Sequence, residues 1–164
     1  MKLKSTLLVL VSLLIGLTSC SDSSNSDSLT QEELSALSKL DTIKITLETG
    51  DRMIFDKTDI TVFEGQAVVV TLHHTGTMAK SSMGHNFVLL EQDVSVKDFA
   101  YAVADQKVNE YLPADKKGVI AHTGLIGGGE ITSVTFQAPK KGTYDFLCSF
   151  PGHSSTMKGK FHVK

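Results

Sequence analysis

The chain has 164 residues, with 16 Lys and Arg set against 18 Asp and Glu, for a formal charge of −2. No segment concentrates the basic residues, so the pattern argues against nucleic acid as a partner. With only two cysteines, Cys20 and Cys148, a disulfide-rich scaffold is also excluded.

The first elements read as export and attachment. Met1–Lys4 is a short basic start, and Leu7–Leu17 is a mostly apolar run too short for a spanning helix of ~20 residues. Residues 1–19 therefore read as a secretory signal, whose removal takes Lys2 and Lys4 with it and moves the side-chain charge from −2 to −4. The run ends in Leu17-Thr18-Ser19-Cys20, which resembles the lipobox of bacterial lipoproteins. Cleavage there leaves a lipidated Cys20; the plainer alternative is an ordinary signal with an incidental cysteine. Residues 20–40 read as a tether. Ser21–Ser28 holds only Ser, Asp and Asn, whereas Thr30-Gln31-Glu32-Glu33 is a capping-box pattern followed by Leu34, Leu37 and Leu40 at helical spacing. So short a helix needs a surface to pack on.

Residues 41–164 read as one domain of short strands separated by turn signals, an all-β sandwich or barrel. Strands are expected at Thr42–Glu48, Met53–Phe55, Ile60–Phe63 and Ala67–Leu72, the last a Val-rich run of the kind that is buried on both faces. His74–Gly84 reads as loop and Asn86–Leu90 as strand. Ser95 with Asp98 resembles a capping box, and Val96, Phe99, Ala100 and Val103 continue at helical spacing, giving one short helical flap laid against the sandwich. Val119–His122, Ile131–Phe136, Thr143–Cys148 and Lys160–Val163 supply the remaining strands. Gly127-Gly128-Gly129 lacks the Lys-Ser/Thr of a phosphate loop and reads as a turn.

The chemistry gathers near the C-terminus. Cys148, His153 and Met157 follow one another at spacings of five and four residues, and His85 lies far upstream in Met83-Gly84-His85-Asn86. A lone cysteine exported to an oxidising compartment is best explained as a metal ligand. Two imidazoles, one thiolate and a weak axial thioether form the ligand set of a blue-copper site, since soft sulfur favours Cu(I) and imidazole accommodates both redox states. Pro151-Gly152 permits the reversal that returns His153 towards Cys148. Asn86, beside His85, is placed to tie the two ligand segments together by hydrogen bonds.

Met83-Gly84-His85-Asn86-Phe87-Val88-Leu89 and Cys148–Gly159 resemble the two copper motifs of the azurins, with auracyanins as a membrane-tethered variation. Val119–Thr123, Ser133–Phe136 and Ile60–Val62 add to the resemblance, which runs from Thr42 to Lys164. It implies a Greek-key β-sandwich of the cupredoxin type and one copper ion cycling between Cu(I) and Cu(II). By position it makes His85, Cys148 and His153 equatorial ligands and Met157 axial, with the Gly84 carbonyl approaching from the opposite side. Met53, Met78 and Met83 would form an apolar docking rim around His153, and His74 is the best candidate for a pH-sensitive neighbour, against the plainer reading of a hydrogen-bonded histidine. The pattern departs from the azurins in lacking a cysteine pair near the start of the domain and in carrying Phe87 where many azurins have tryptophan.

The implied function is electron transport without enzymatic activity. A monomer on the periplasmic face of a bacterial membrane, attached through its lipid, would exchange single electrons with redox proteins such as cytochromes or oxidoreductases. The alternative is a non-redox module for copper delivery or storage. A nucleophilic Cys148 with His153 as base is disfavoured, because no third residue is evident to orient the histidine.

Overall fold

The structure, a computed structural model, describes residues 29–164; the signal, Cys20 and the Ser/Asp-rich segment lie outside the described residues. It opens with helix α1 (Gln31–Leu37), started by the anticipated capping box. The Thr30 hydroxyl accepts the Glu33 N–H, and the Glu33 carboxylate accepts the Thr30 N–H. The surface that so short a helix requires comes from the domain. Leu37 packs on the core, and the Gln66 carboxamide donates to the carbonyls of Leu37 and Leu40 at 2.8 and 2.6 Å.

Two sheets follow. One contains β1 (Thr42–Thr49), β3 (Ala67–His74) and β6 (Ile131–Gln137) in that order. The other is ordered β2 (Asp59–Val62), β8 (Lys158–Val163), β7 (Gly142–Leu147), β4 (Val88–Leu90) and β5 (Val119–His122). β1 runs parallel to β3 and β2 parallel to β8, while the remaining pairs are antiparallel. Leu47, Val68, Val70, Leu72, Leu89, Phe146 and Phe161, all fully buried, fill the space between the sheets.

The flap is helix α3 (Val96–Val103), capped by the Ser95 hydroxyl accepting the Asp98 N–H, followed by a 3-10 turn at Lys107–Asn109. It covers a second apolar cluster in which Phe99, Val103 and Leu112 meet Val88 and Leu90. Alternation along β4 explains the arrangement: Leu89 faces the sandwich while Val88 and Leu90 face the flap.

Some local expectations change. Ala67–Leu72 is not buried on both faces: Val68, Val70, Leu72 and His74 are buried and their neighbours half exposed, because β3 turns only one face to the core. Met53–Phe55 forms no strand; the chain turns there with Met53 at φ 54°, and only Phe55 enters the core. The segment expected as loop from His74 contains a four-residue helix, α2 (Lys80–Met83).

The register separates two ends. Thr42 pairs with Ala67 at the end that holds α1, whereas Thr49 leads to Gly50 beside His85. The eight residues of β1 place these ends ~23 Å apart at a strand rise of ~3.3 Å per residue.

Candidate metal centre

His85 is set by its backbone before its side chain. Its N–H and C=O both pair with Ile126, each at 2.9 Å, in an isolated antiparallel bridge. Its Nε2 lies 3.1 Å from the Gly50 carbonyl, an acceptor only, so Nε2 carries the proton and Nδ1 presents a lone pair inward. The ring of His74 packs against it with centroids 4.6 Å apart. His74 is itself fully buried, receiving the Gly76 N–H on Nδ1 and facing the Met83 carbonyl with Nε2.

The other segment leaves β7 at Cys148, whose N–H bonds the Met157 carbonyl at 2.9 Å. Gly152, at φ 84°, turns the chain with a backbone conformation that favours glycine. A 3-10 turn over His153–Ser155 follows, closed by Met157 N–H to His153 C=O at 2.8 Å. This geometry brings His153 back over Cys148.

The two segments are tied by Asn86, which has no solvent exposure. Its Oδ1 accepts the Ser149 N–H at 2.9 Å, and its Nδ2 donates to the Ser149 hydroxyl at 2.9 Å and the Glu110 carbonyl at 3.3 Å. Ser149, Glu110 and Gly50 had no signal of their own in the sequence. Ser149 alone was accessible to inference, through its place next to Cys148.

The three inward atoms form a triangle. Cys148 Sγ lies 3.8 Å from His85 Nδ1 and 3.7 Å from His153 Nδ1, and the two nitrogens are 3.2 Å apart. The point equidistant from all three lies about 2.1 Å from each, the length of a transition-metal bond to imidazole and close to that to thiolate. A cation therefore fits without movement of any ligand. Of the other residues singled out, Met157 is fully buried and the Gly84 carbonyl is 3.9 Å from Cys148 Sγ. Met53 and Met78 are exposed, at 37% and 40%, whereas Met83 is half-buried.

Burial sets the protonation of the triangle. It pushes the Cys148 thiol up to about 11, against a partial offset from the backbone N–H groups of Asn86 and Phe150. It pushes His85 down to about 4, opposed by the Gly50 carbonyl and reinforced by the neighbouring His153 and His74, and burial also lowers His153. At neutral pH the site thus holds two neutral imidazoles and a protonated thiol. His153 is only 4% exposed, and its Nε2 has no protein hydrogen bond. Among the described residues no side-chain nitrogen or oxygen is buried without a partner, so this nitrogen meets solvent.

Residues 41–164 match the family model described as copper binding proteins, plastocyanin/azurin family. The chain belongs to that family. It is 43% identical to Azurin-1 of Alcaligenes xylosoxydans xylosoxydans over 122 residues, which cover 70% of this chain and 92% of the relative. It is equally identical to Outer membrane protein H.8 of Neisseria gonorrhoeae, but spans only 64% of that protein's length. Among solved structures, auracyanin A of Chloroflexus aurantiacus, a "blue" copper protein, matches with a TM-score of 0.64 at 33% identity over 75% of this chain and 99% of its own. An azurin from Methylomonas sp. strain J matches with a TM-score of 0.67 at 36% identity, covering 74% and 97%. The fold is accordingly the all-β Greek-key cupredoxin sandwich, and His85, Cys148 and His153 are arranged to bind a copper ion. The match is to cupredoxins of the azurin/auracyanin type, and the His-Cys-His site supports a blue copper protein.

Proposed function

We propose that this cupredoxin carries single electrons between redox proteins outside the cytoplasm, such as cytochromes or oxidoreductases. Copper would supply the one-electron change, held by His85, Cys148 and His153 with Met157 and the Gly84 carbonyl as weak axial partners. The observation that carries this reading is the enclosure of the site. Its three inward atoms lie about 2.1 Å from one common point, on residues 0%, 0% and 4% exposed whose backbones or rings are held by hydrogen bonds within the protein. Such a frame resists rearrangement when the ion's charge changes, and a carrier needs little rearrangement. A delivery protein instead needs ligands that open to pass the ion on, and the burial of Cys148 argues against that role.

His153 is the natural exit for the electron, because its outer nitrogen meets solvent. Met53 and Met78, with Met83 less exposed, offer an adaptable apolar surface for docking. We place the protein on the periplasmic face of a bacterial membrane, lipidated at Cys20 after loss of residues 1–19. The lipobox supports this, as does a relative bearing the name Outer membrane protein H.8. Stable attachment would take more than one acyl chain.

The test is optical. Oxidised copper-loaded protein should be intensely blue and bleach with one electron per copper, and Cys148→Ser should abolish the colour. A colourless Cu(II) form of the wild type, or colour that survives in Cys148→Ser, would overturn the assignment. Mass spectrometry of the native N-terminus decides the anchor.

A further inference from the structure

One turn of the flap reaches both segments that carry the copper ligands. Glu110 and Tyr111 both adopt left-handed backbone, at φ 55° and 60°, although neither is glycine. Two such residues in succession persist only where their surroundings hold them there. The Glu110 carbonyl accepts from Asn86 Nδ2 at 3.3 Å, reaching the side chain that ties His85's segment to Ser149. The Glu110 carboxylate accepts the Leu125 N–H at 3.1 Å, and the next residue, Ile126, makes both backbone bonds to His85. The Tyr111 ring meets Phe150 edge-on at 5.1 Å, and Phe150 in turn packs on His153 at 4.6 Å. The flap thus grips both ligand segments through three separate contacts, although it supplies no ligand itself.

The geometry points to Glu110 as a positioning residue of the copper centre: its carboxylate pins the Glu110–Tyr111 turn to Leu125, and the turn holds Asn86 and Phe150 against the two ligand segments. This inference rests on the copper reading above. In it the flap is part of the metal site's frame as well as a cover for the second core. The carboxylate acts as a hydrogen-bond acceptor, so a neutral acceptor of the same shape replaces it.

The experiment compares Glu110→Ala and Glu110→Gln with wild type in the full chain. Loss of an outer partner of a metal site costs roughly 10- to 100-fold in metal affinity. Glu110→Ala should therefore release copper to excess chelator about tenfold faster and shift the visible band. Glu110→Gln, whose amide oxygen can still accept the Leu125 N–H, should stay within about twofold of wild type. In the copper-free protein, nuclear magnetic resonance should show faster exchange of the Asn86 carboxamide protons in Glu110→Ala and wild-type exchange in Glu110→Gln. If Glu110→Ala only melts earlier, with wild-type copper release, spectrum and Asn86 exchange, the inference is overturned. It is also overturned if Gln behaves as Ala does. A wild type that binds no copper would refute the proposed function instead, and the copper-free measurement would still decide the role of Glu110.

Discussion

Adding Cu(II) to the copper-free protein at pH 7 should release one proton, and the structure says where it comes from. Burial holds the Cys148 thiol up to about 11, four units above the working pH, so only about one molecule in 10⁴ carries the thiolate that the metal needs. His85, pushed down to about 4, and His153, also lowered, are already neutral and give up nothing. Displacing the thiol proton opposes binding by about 5 kcal/mol at pH 7, and this opposition shrinks by 1.36 kcal/mol for each unit of added pH. Apparent affinity should consequently rise tenfold per pH unit from about pH 7 towards 11. As the pH falls towards about 4 the slope should steepen, because His85 then begins to compete for protons. Calorimetric titration in two buffers of different ionisation heat counts the protons directly, and Zn(II) gives a redox-silent repeat that cannot oxidise the thiol. A count near zero would mean that the thiol is not a ligand or is already ionised. A count of two or more would mean that the imidazoles are charged at neutral pH, contrary to their burial.

The same burial makes the copper-free fold acid-labile. Because the His85 pKa is depressed on folding, the stability is complete above about pH 6.5 and is lost as the pH falls towards 4, by up to about 3 kcal/mol; a flat denaturation profile across that window would contradict it. Gln66→Ala removes the bond to Leu37 at the end of α1, the bond to Leu40 just beyond it and the one from the Phe63 N–H, at about 1 kcal/mol each. Residues 31–40 should then lose protection against hydrogen exchange while the copper site keeps its spectrum, and unchanged protection would rule out the clasp. Gly84→Ala would put a methyl carbon 2.6 Å from the Lys80 carbonyl oxygen, where backbone must move. A loss of about 1–3 kcal/mol in thermal unfolding is expected, together with weaker copper binding as His85 is displaced.

The ligand triangle was legible in the sequence because its chemistry is unusual. A lone cysteine, with a histidine five residues on, has few uses in an exported domain, and Pro151-Gly152 between them announces the reversal. The strands were legible where alternation was strong, as in Thr42–Thr49. Ala67–Leu72 misled because valines suit the outer face of a sheet as well as a core, so an apolar run does not state how many faces are covered. Met53–Phe55 misled because its residue types favour strands while its backbone groups are taken outside any ladder: the Met53 N–H goes to the Gly50 carbonyl, and the Met53 and Ile54 carbonyls accept the hydroxyls of Thr156 and Thr49. The same limit hid Gly50, whose part in the site is played by a carbonyl oxygen that every residue type possesses. Contacts made by the main chain leave no compositional trace.

Distance along β1 bears on which partner can be reached. With Cys20 anchored as proposed, the separation of copper from the bilayer depends on where the domain begins. Gln66 holds the C-terminal end of α1 to the end of the sandwich ~23 Å from the copper end, and Leu29 lines a groove with Ile45 and Thr46, which leaves residues 20–28 as the link. Nine residues span at most ~31 Å, whereas the twenty-one of residues 20–40 would span ~70 Å if α1 were unfolded and free. Docking of the helix therefore shortens the leash by more than half, confines the copper site to a thinner shell above the membrane, and raises its effective concentration towards anything held in that shell.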